Sequence, residues 1–323
     1  MIEAKYYKKL NNDKVQCLLC PHYCLLSNGE TGKCKGRINH KGILFAENYG
    51  KTIAHSLDPM EKKPLYHFYP GSSILSLGAN SCNFSCDFCQ NYQSSQQKTF
   101  TREISPGSLL AYCHQQDCKF VAFTYTEPIT WFEFVLDSAQ LLKKNDIKVV
   151  LVTNGFINPE PLNELLPYID AMNIDLKSIN DIFYQKYCGG YVKPVLDTIR
   201  TSVQKCHVEL TNLVITDAND GAAEIRELVD FVASVNSDIP LHFSRYYPCY
   251  KMTNPPTTVE NLENAKRIAE EKLHHVYLGN VLTNSDTLCP NCKAILIKRG
   301  YGAISKIVNN ACPSCGYKIY GQF

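Results

Sequence analysis

The sequence predicts an α/β protein whose middle is a series of strand–helix units and whose two ends are small metal-stabilised modules. Three observations lead there. Between residues 73 and 243, short β-branched or apolar runs alternate with helix-length amphipathic stretches, the pattern of parallel strands joined by crossover helices. A loop with three cysteines follows the first of these runs. Each end of the chain carries a further group of four cysteines.

The 323 residues are 45% hydrophobic and 20% charged, with a formal net charge of +2. This composition supports a sizeable core and excludes disorder, collagen and coiled coil. No segment approaches the roughly 18 uninterrupted apolar residues of a membrane helix. Residues 1–14 carry charges where an export signal is apolar, so a cytoplasmic location with no membrane partner is expected. Near-neutral charge also argues against nucleic acid as a partner, because affinity for phosphate comes from clustered Lys and Arg.

In chain order, residues 1–60 read as a cysteine-rich module, 61–283 as the α/β core and 284–323 as a ribbon. Neither end can hold a large core alone, and metal staples supply the missing stability. Strands are expected at 73–77, 120–125, 148–153, 171–176, 208–215 and 240–243. One helix opens at Ser105-Pro106 and another at Asn158-Pro159, each with a cap residue followed by proline. Others are expected at 130–144, 193–204 and 222–234, and the Gln-rich stretch 91–102 reads as a surface loop. Six such units make either a partial (β/α) barrel or an open doubly wound sheet. In both, chemistry belongs at the carboxyl ends of the strands.

Sixteen cysteines without an export signal point to metal thiolates rather than disulfides. Cys113, Cys118, Cys188, Cys206 and Cys249 are scattered and read as small buried hydrophobes. Cys82, Cys86 and Cys89 form C-x3-C-x2-C at the active end of the sheet. A [4Fe–4S] cluster takes four cysteine ligands, so three suggest an iron left open for chemistry; a zinc site with a remote fourth ligand is the alternative. Cys289-Pro-Asn-Cys292 and Cys312-Pro-Ser-Cys315 are two knuckles separated by 19 residues, the spacing of a zinc ribbon. Rubredoxin-like iron fits the same geometry. Cys17, Cys20, Cys24 and Cys34 can saturate one further centre, with His22 as a spare ligand. Zinc and a second iron–sulfur cluster both fit, and the loop through Gly29 and Gly32 tips the reading toward zinc.

C-x3-C-x2-C with the aromatic Phe88 before its last cysteine resembles the signature of radical S-adenosylmethionine (SAM) enzymes. The segment from Asp58 to Gly71, the triplet Cys89-Gln90-Asn91 and the spacing of Cys17 to Cys34 are similar to the radical SAM enzymes of the AmmeMemoRadiSam system. These are relatives of the pyruvate formate-lyase and other glycyl-radical activating enzymes. The resemblance implies a TIM-like partial (β/α)6 barrel, a [4Fe–4S] cluster on Cys82, Cys86 and Cys89, and SAM on its open iron. It also implies reductive cleavage of SAM to an adenosyl radical that abstracts hydrogen from an unidentified substrate.

For SAM contacts, the resemblance assigns Glu127 to the methionyl ammonium, with an N-cap role as the alternative. It places Thr153, Asn154, Asp175 and Lys177 beside the cofactor, the last two as a strand-end Asp-x-Lys pair. His242, with Arg245, is assigned to the nucleoside or substrate, with a hydrogen-bonded core histidine as the alternative. Implied partners are an electron donor such as a flavodoxin or ferredoxin, a Memo-family protein and a third protein of that system. Alternative readings are a glycyl-radical-enzyme activase, an RNA-modifying radical SAM enzyme, and a non-enzymatic zinc-ribbon binding module. The last would use a basic face of Lys293, Lys298, Arg299, Lys306 and Lys318.

Overall fold

The computed structural model describes residues 1–300 and 302–323. Its centre is one eight-stranded sheet whose strands follow chain order from edge to edge: β1 (Ala54–Pro59), β2 (Ser73–Gly78), β3 (Phe120–Phe123), β4 (Lys148–Thr153), β5 (Ala171–Asp175), β6 (His207–Val214), β7 (Leu241–Arg245) and β8 (Val276–Gly279). Strands β2 to β8 pair in parallel, and β1 runs antiparallel along the edge of β2. The six expected strands are all present. Two more were missed, one at each edge, and β1 lies within residues first assigned to the N-terminal module.

Alternation of side chains along these strands separates two cores. Val121 and Phe123, Val149 and Leu151, Met172 and Ile174, and Leu241 and Phe243 pack with apolar helix residues such as Leu142, Ile199 and Val232. Their neighbours in the alternation, Ile74, Ala122, Val150 and Ala171, form a separate cluster with Met60, Leu65 and Phe68. The helices therefore cover one face only, which excludes the doubly wound arrangement. The opposite face is covered by the chain between β1 and β2.

The helices are α1 (Pro106–Gln115), α2 (Phe132–Lys143), α3 (Pro159–Leu165), α4 (Lys193–Ser202), α5 (Ala222–Val235) and α6 (Val259–Glu270). Ser105 caps α1 by accepting from the Ser108 N–H at 3.0 Å. Asn158 precedes α3 but does not cap it with its side chain. Its amide instead donates to the Leu18 carbonyl at 2.7 Å, tying the N-terminal module to the core. Residues 91–102 are not all loop: Tyr92–Gln96 is a short helix.

The N-terminal module contains two three-stranded antiparallel sheets. It docks through Arg37, 1% exposed, whose Nη2 lies 2.5 Å from Glu133 Oε1 on α2. The C-terminal unit is a three-stranded sheet with a small core of Cys289, Leu296, Ile297, Cys312 and Ile319. It is fastened to the chain between β1 and β2: the His67 carbonyl accepts from Gln322 N at 2.8 Å, and Arg299 Nη2 donates to the Tyr66 carbonyl at 2.7 Å. Arg299 also donates to Ser285 and Thr287, so it is not free for an external ligand as a basic binding face would require. Among the described residues, no helix is long and apolar enough to cross a membrane.

Candidate functional site

A cleft of about 350 Å³ opens at the carboxyl ends of the parallel strands, and Cys82, Cys86 and Cys89 form part of its wall. The loop that carries them leaves β2 and is held from behind by a π-helical turn, Tyr184–Cys188. Ser85 N donates to the Cys188 carbonyl and Asp87 N to the Tyr187 carbonyl, both at 2.9 Å. Gly190 completes this support, since a Cβ there would come within 2.4 Å of the buried Phe84 ring.

Polar donors surround the thiols. Phe84 N–H lies 3.4 Å from Cys82 Sγ, the Asn154 amide is 3.9 Å from the same atom, and the Ser95 hydroxyl is 3.3 Å from Cys89 Sγ. Burial pushes the Cys82 and Cys89 thiols up, while the neighbouring Cys188 thiol and the Lys177 ammonium bring Cys86 down. Among the scattered cysteines, Cys113, Cys118 and Cys188 are buried as expected, and Cys206 and Cys249 are half-buried.

Close to Cys82 stands Glu127, 1% exposed. Its Oε1 accepts from the Thr153 hydroxyl at 2.6 Å and from Ile129 N at 3.0 Å, and its Oε2 accepts from Asn154 N at 2.7 Å. Glu127 therefore caps the 3-10 turn Pro128–Trp131 and lines the cleft at once. Burial raises its pKa to about 7. At the end of β5, Lys177 Nζ lies 2.8 Å from Asp175 Oδ2, and both residues line the cleft. Burial opposes the Lys177 charge, but Asp175 and the thiols outweigh it and hold its pKa well above the usual lysine value.

A sequence profile described as the Radical SAM superfamily matches residues 77–232, which contain every residue of the cleft named so far. An uncharacterised protein of Methanocaldococcus jannaschii is 41% identical to this chain over 99% of both chains. The chain belongs to the radical SAM superfamily. Pyruvate formate-lyase 1-activating enzyme of Escherichia coli K12 is 25% identical over 60% of this chain and 87% of that one. A radical SAM methyltransferase from Sphaerobacter thermophilus shares the fold with a TM-score of 0.53 at 14% identity, over 65% of this chain and 67% of that one.

Radical SAM membership implies a [4Fe–4S] cluster and SAM, and the residues fit both groups. Three thiols reach one cleft with N–H and O–H donors aimed at their sulfurs, the surroundings that stabilise thiolate ligands. The same cleft carries a buried carboxylate and an Asp–Lys pair, suited to the ammonium and carboxylate ends of an amino acid.

His242 is not brought to the cleft. It is the second residue of β7, and its Nε2 lies 2.7 Å from Glu209 Oε2 deep on the inner face, which leaves it as a hydrogen-bonded core histidine. Ser244, two residues further along the same face, lines the cleft instead. Arg245 donates to the Thr257 carbonyl at 2.7 Å and also lies off the cleft wall.

Sequence reasoning missed Lys62 and Lys63 as cleft residues, although their segment was singled out. Both pair with Asp58, Lys63 at 2.8 Å and Lys62 at 3.1 Å. Burial on its own would raise the Asp58 carboxyl, but the two ammonium groups hold it well below the carboxylate range. At the far end of the chain, Cys289, Cys292, Cys312 and Cys315 converge with all four sulfurs within 4.8 Å of one another, a set that can hold one metal ion.

Proposed function

We propose that this chain is a radical SAM enzyme whose sheet curls into a partial (β/α) barrel. Cys82, Cys86 and Cys89 hold a [4Fe–4S] cluster with one open iron. The observation that carries this reading is that three thiols share one cleft with Glu127, Thr153, Asn154, Asp175 and Lys177. The cluster and SAM together supply an adenosyl radical for hydrogen abstraction. The chain's part is to orient SAM: Glu127 faces its ammonium, Lys177 and Asp175 its polar groups, and Asn154 joins the cofactor wall to Cys82.

The C-terminal cysteines hold a structural zinc, a reading supported by their close convergence. A flavodoxin- or ferredoxin-type carrier supplies electrons in a reducing cytoplasm. A Memo-family protein and a third companion are the partners inferred from the N-terminal resemblance. The similarity to the E. coli activating enzyme favours a second reading, in which the substrate is a glycyl residue of a partner enzyme.

The test is anaerobic reconstitution, followed by measurement of 5′-deoxyadenosine formed from SAM under a strong reductant. Replacing Cys82, Cys86 or Cys89 by Ala should abolish it. Unchanged cleavage in all three variants would move the chemistry elsewhere.

A further inference from the structure

Four cysteines around one metal ion and four around a cubane differ in spread. Zinc, with Zn–S bonds of about 2.3 Å, draws its thiolates to about 3.8 Å from one another. Each iron of a [4Fe–4S] cluster carries its own thiolate, which sets the cysteine sulfurs roughly 6 Å apart.

The C-terminal set has the first spread. Cys289 and Cys315 sulfurs lie 3.6 Å apart, and those of Cys292 and Cys312 lie 3.7 Å apart. The N-terminal set does not. Among the described residues, no three of Cys17, Cys20, Cys24, Cys34 and His22 bring ligand atoms within 4.8 Å of one another. Cys82, Cys86 and Cys89 lie outside that limit in the same way.

A second observation is independent of the first. Cys17, Cys20, Cys24 and Cys34 together line an enclosed, apolar cavity of about 10 Å³, enough for one water-sized sphere. The four thiols thus face one common void.

The third observation concerns Arg37, which also lines this cavity. Its Nη1 donates to the Lys5 carbonyl at 2.8 Å and its Nη2 to Glu133, but its buried Nε–H has no partner. A buried donor left unpaired is costly, and cluster sulfur is an acceptor that would satisfy it. We propose that Cys17, Cys20, Cys24 and Cys34 bind a [4Fe–4S] cluster, with Arg37 Nε–H donating to its sulfur. Of the two metal readings the sequence leaves open here, this is the iron–sulfur one.

The position gives the cluster a role. His22 Nε2 lies 2.7 Å from the Asn83 carbonyl oxygen. Asn83 lines the N-terminal cavity, while Cys82, the residue before it, lines the central cleft. Consecutive residues therefore line the two sites. An electron from a low-potential carrier protein would reduce the N-terminal cluster by one electron. That cluster would return to its oxidised state as the central one is reduced, with no bond formed or broken. The relay rests on the radical SAM reading of the cleft; the metal content of the N-terminal site does not.

The test is iron, sulfide and zinc analysis of the full-length chain, reconstituted anaerobically. About eight irons, eight sulfides and one zinc per chain are expected. After dithionite reduction, EPR should give two cluster signals, of which SAM shifts only one. Cys20→Ala should remove about four irons and the SAM-insensitive signal. Cys24→Ser, at the least buried of the four positions, gives the same comparison if Cys20→Ala does not fold. About four irons and two zincs in the unsubstituted chain would overturn the site. Eight irons with neither signal responding to SAM would keep the site and overturn the relay.

Discussion

The Glu127 carboxylate accepts from the Thr153 hydroxyl at 2.6 Å, joining the ends of two adjacent parallel strands across the floor of the cleft. With a pKa raised to about 7 by burial, Glu127 is largely neutral below that pH and ionised above it. Only the ionised form pairs well with an ammonium group. SAM affinity should therefore rise as pH increases from 6 to 8, and Glu127→Gln should flatten the dependence. A charge-assisted hydrogen bond of about 1.5–3 kcal/mol corresponds to a loss of roughly 10- to 100-fold in affinity for the variant at pH 8. Titration calorimetry across this range checks it, and a Gln variant with the wild-type slope would remove Glu127 from the ammonium role.

Gly190 lets the loop carrying the three thiols pack down on its support. A Cβ at that position meets Phe84 at 2.4 Å, and Phe84 is wedged against Phe156 and Tyr184 with 2% of its surface exposed. Gly190→Ala should cost about 1–3 kcal/mol in overpacking. The strain falls between Cys82 and Cys86, so the variant should lose iron from the central site before it loses secondary structure. Iron content measured alongside circular dichroism separates the two effects. Full iron loading would show that the loop tolerates the displacement.

The six inner strands were legible because each presents alternate apolar residues to the helix-covered face, as Val149 and Leu151 do on β4. The edge strand β1, Ala-His-Ser-Leu-Asp-Pro, has no such alternation because most of it is exposed. Glu127, Thr153, Asn154, Asp175 and Lys177, singled out through the resemblance, line one cleft because each ends or follows a strand and the strand ends of a parallel sheet are adjacent. His242 was misread because β7 continues to Arg245, which leaves it below the cleft. The donors that hold Glu209, from Tyr66, His67, His207 and His242, include residues 142 or more positions away, and no local pattern announces them.

His275 is 3% exposed, its Nε2 has no partner, and burial lowers its pKa from 6.5 to about 4. Between those values the unfolded chain binds a proton that the folded chain refuses, so stability is complete above pH 6.5 and falls as pH drops toward 4. The gap is worth about 3 kcal/mol. His67, packed against His275 at 4.4 Å, is also lowered by burial and acts in the same direction. Melting temperature should decline from pH 7 to pH 5. His275→Phe, which keeps a ring but removes the titration, should decline less, whereas an unchanged slope would place the acid sensitivity elsewhere.

The C-terminal metal set is coupled to the sheet through a short path. Cys312 and Ile319 share one small core, Tyr320 next in the chain takes the Val208 N–H at 2.9 Å, and its carbonyl lies 2.8 Å from His67 Nδ1. Removing the metal should therefore loosen the inner-face packing around His67 and Glu209 while leaving the cysteine loop at the carboxyl ends of the strands intact. Cys289→Ala should lose about one zinc per chain and melt at lower temperature, because a structural metal contributes folding free energy. The absorption of the central cluster should persist. Loss of iron in place of zinc would identify the bound metal as a rubredoxin-type iron, and an unchanged melting temperature would show that the unit folds without reference to its metal.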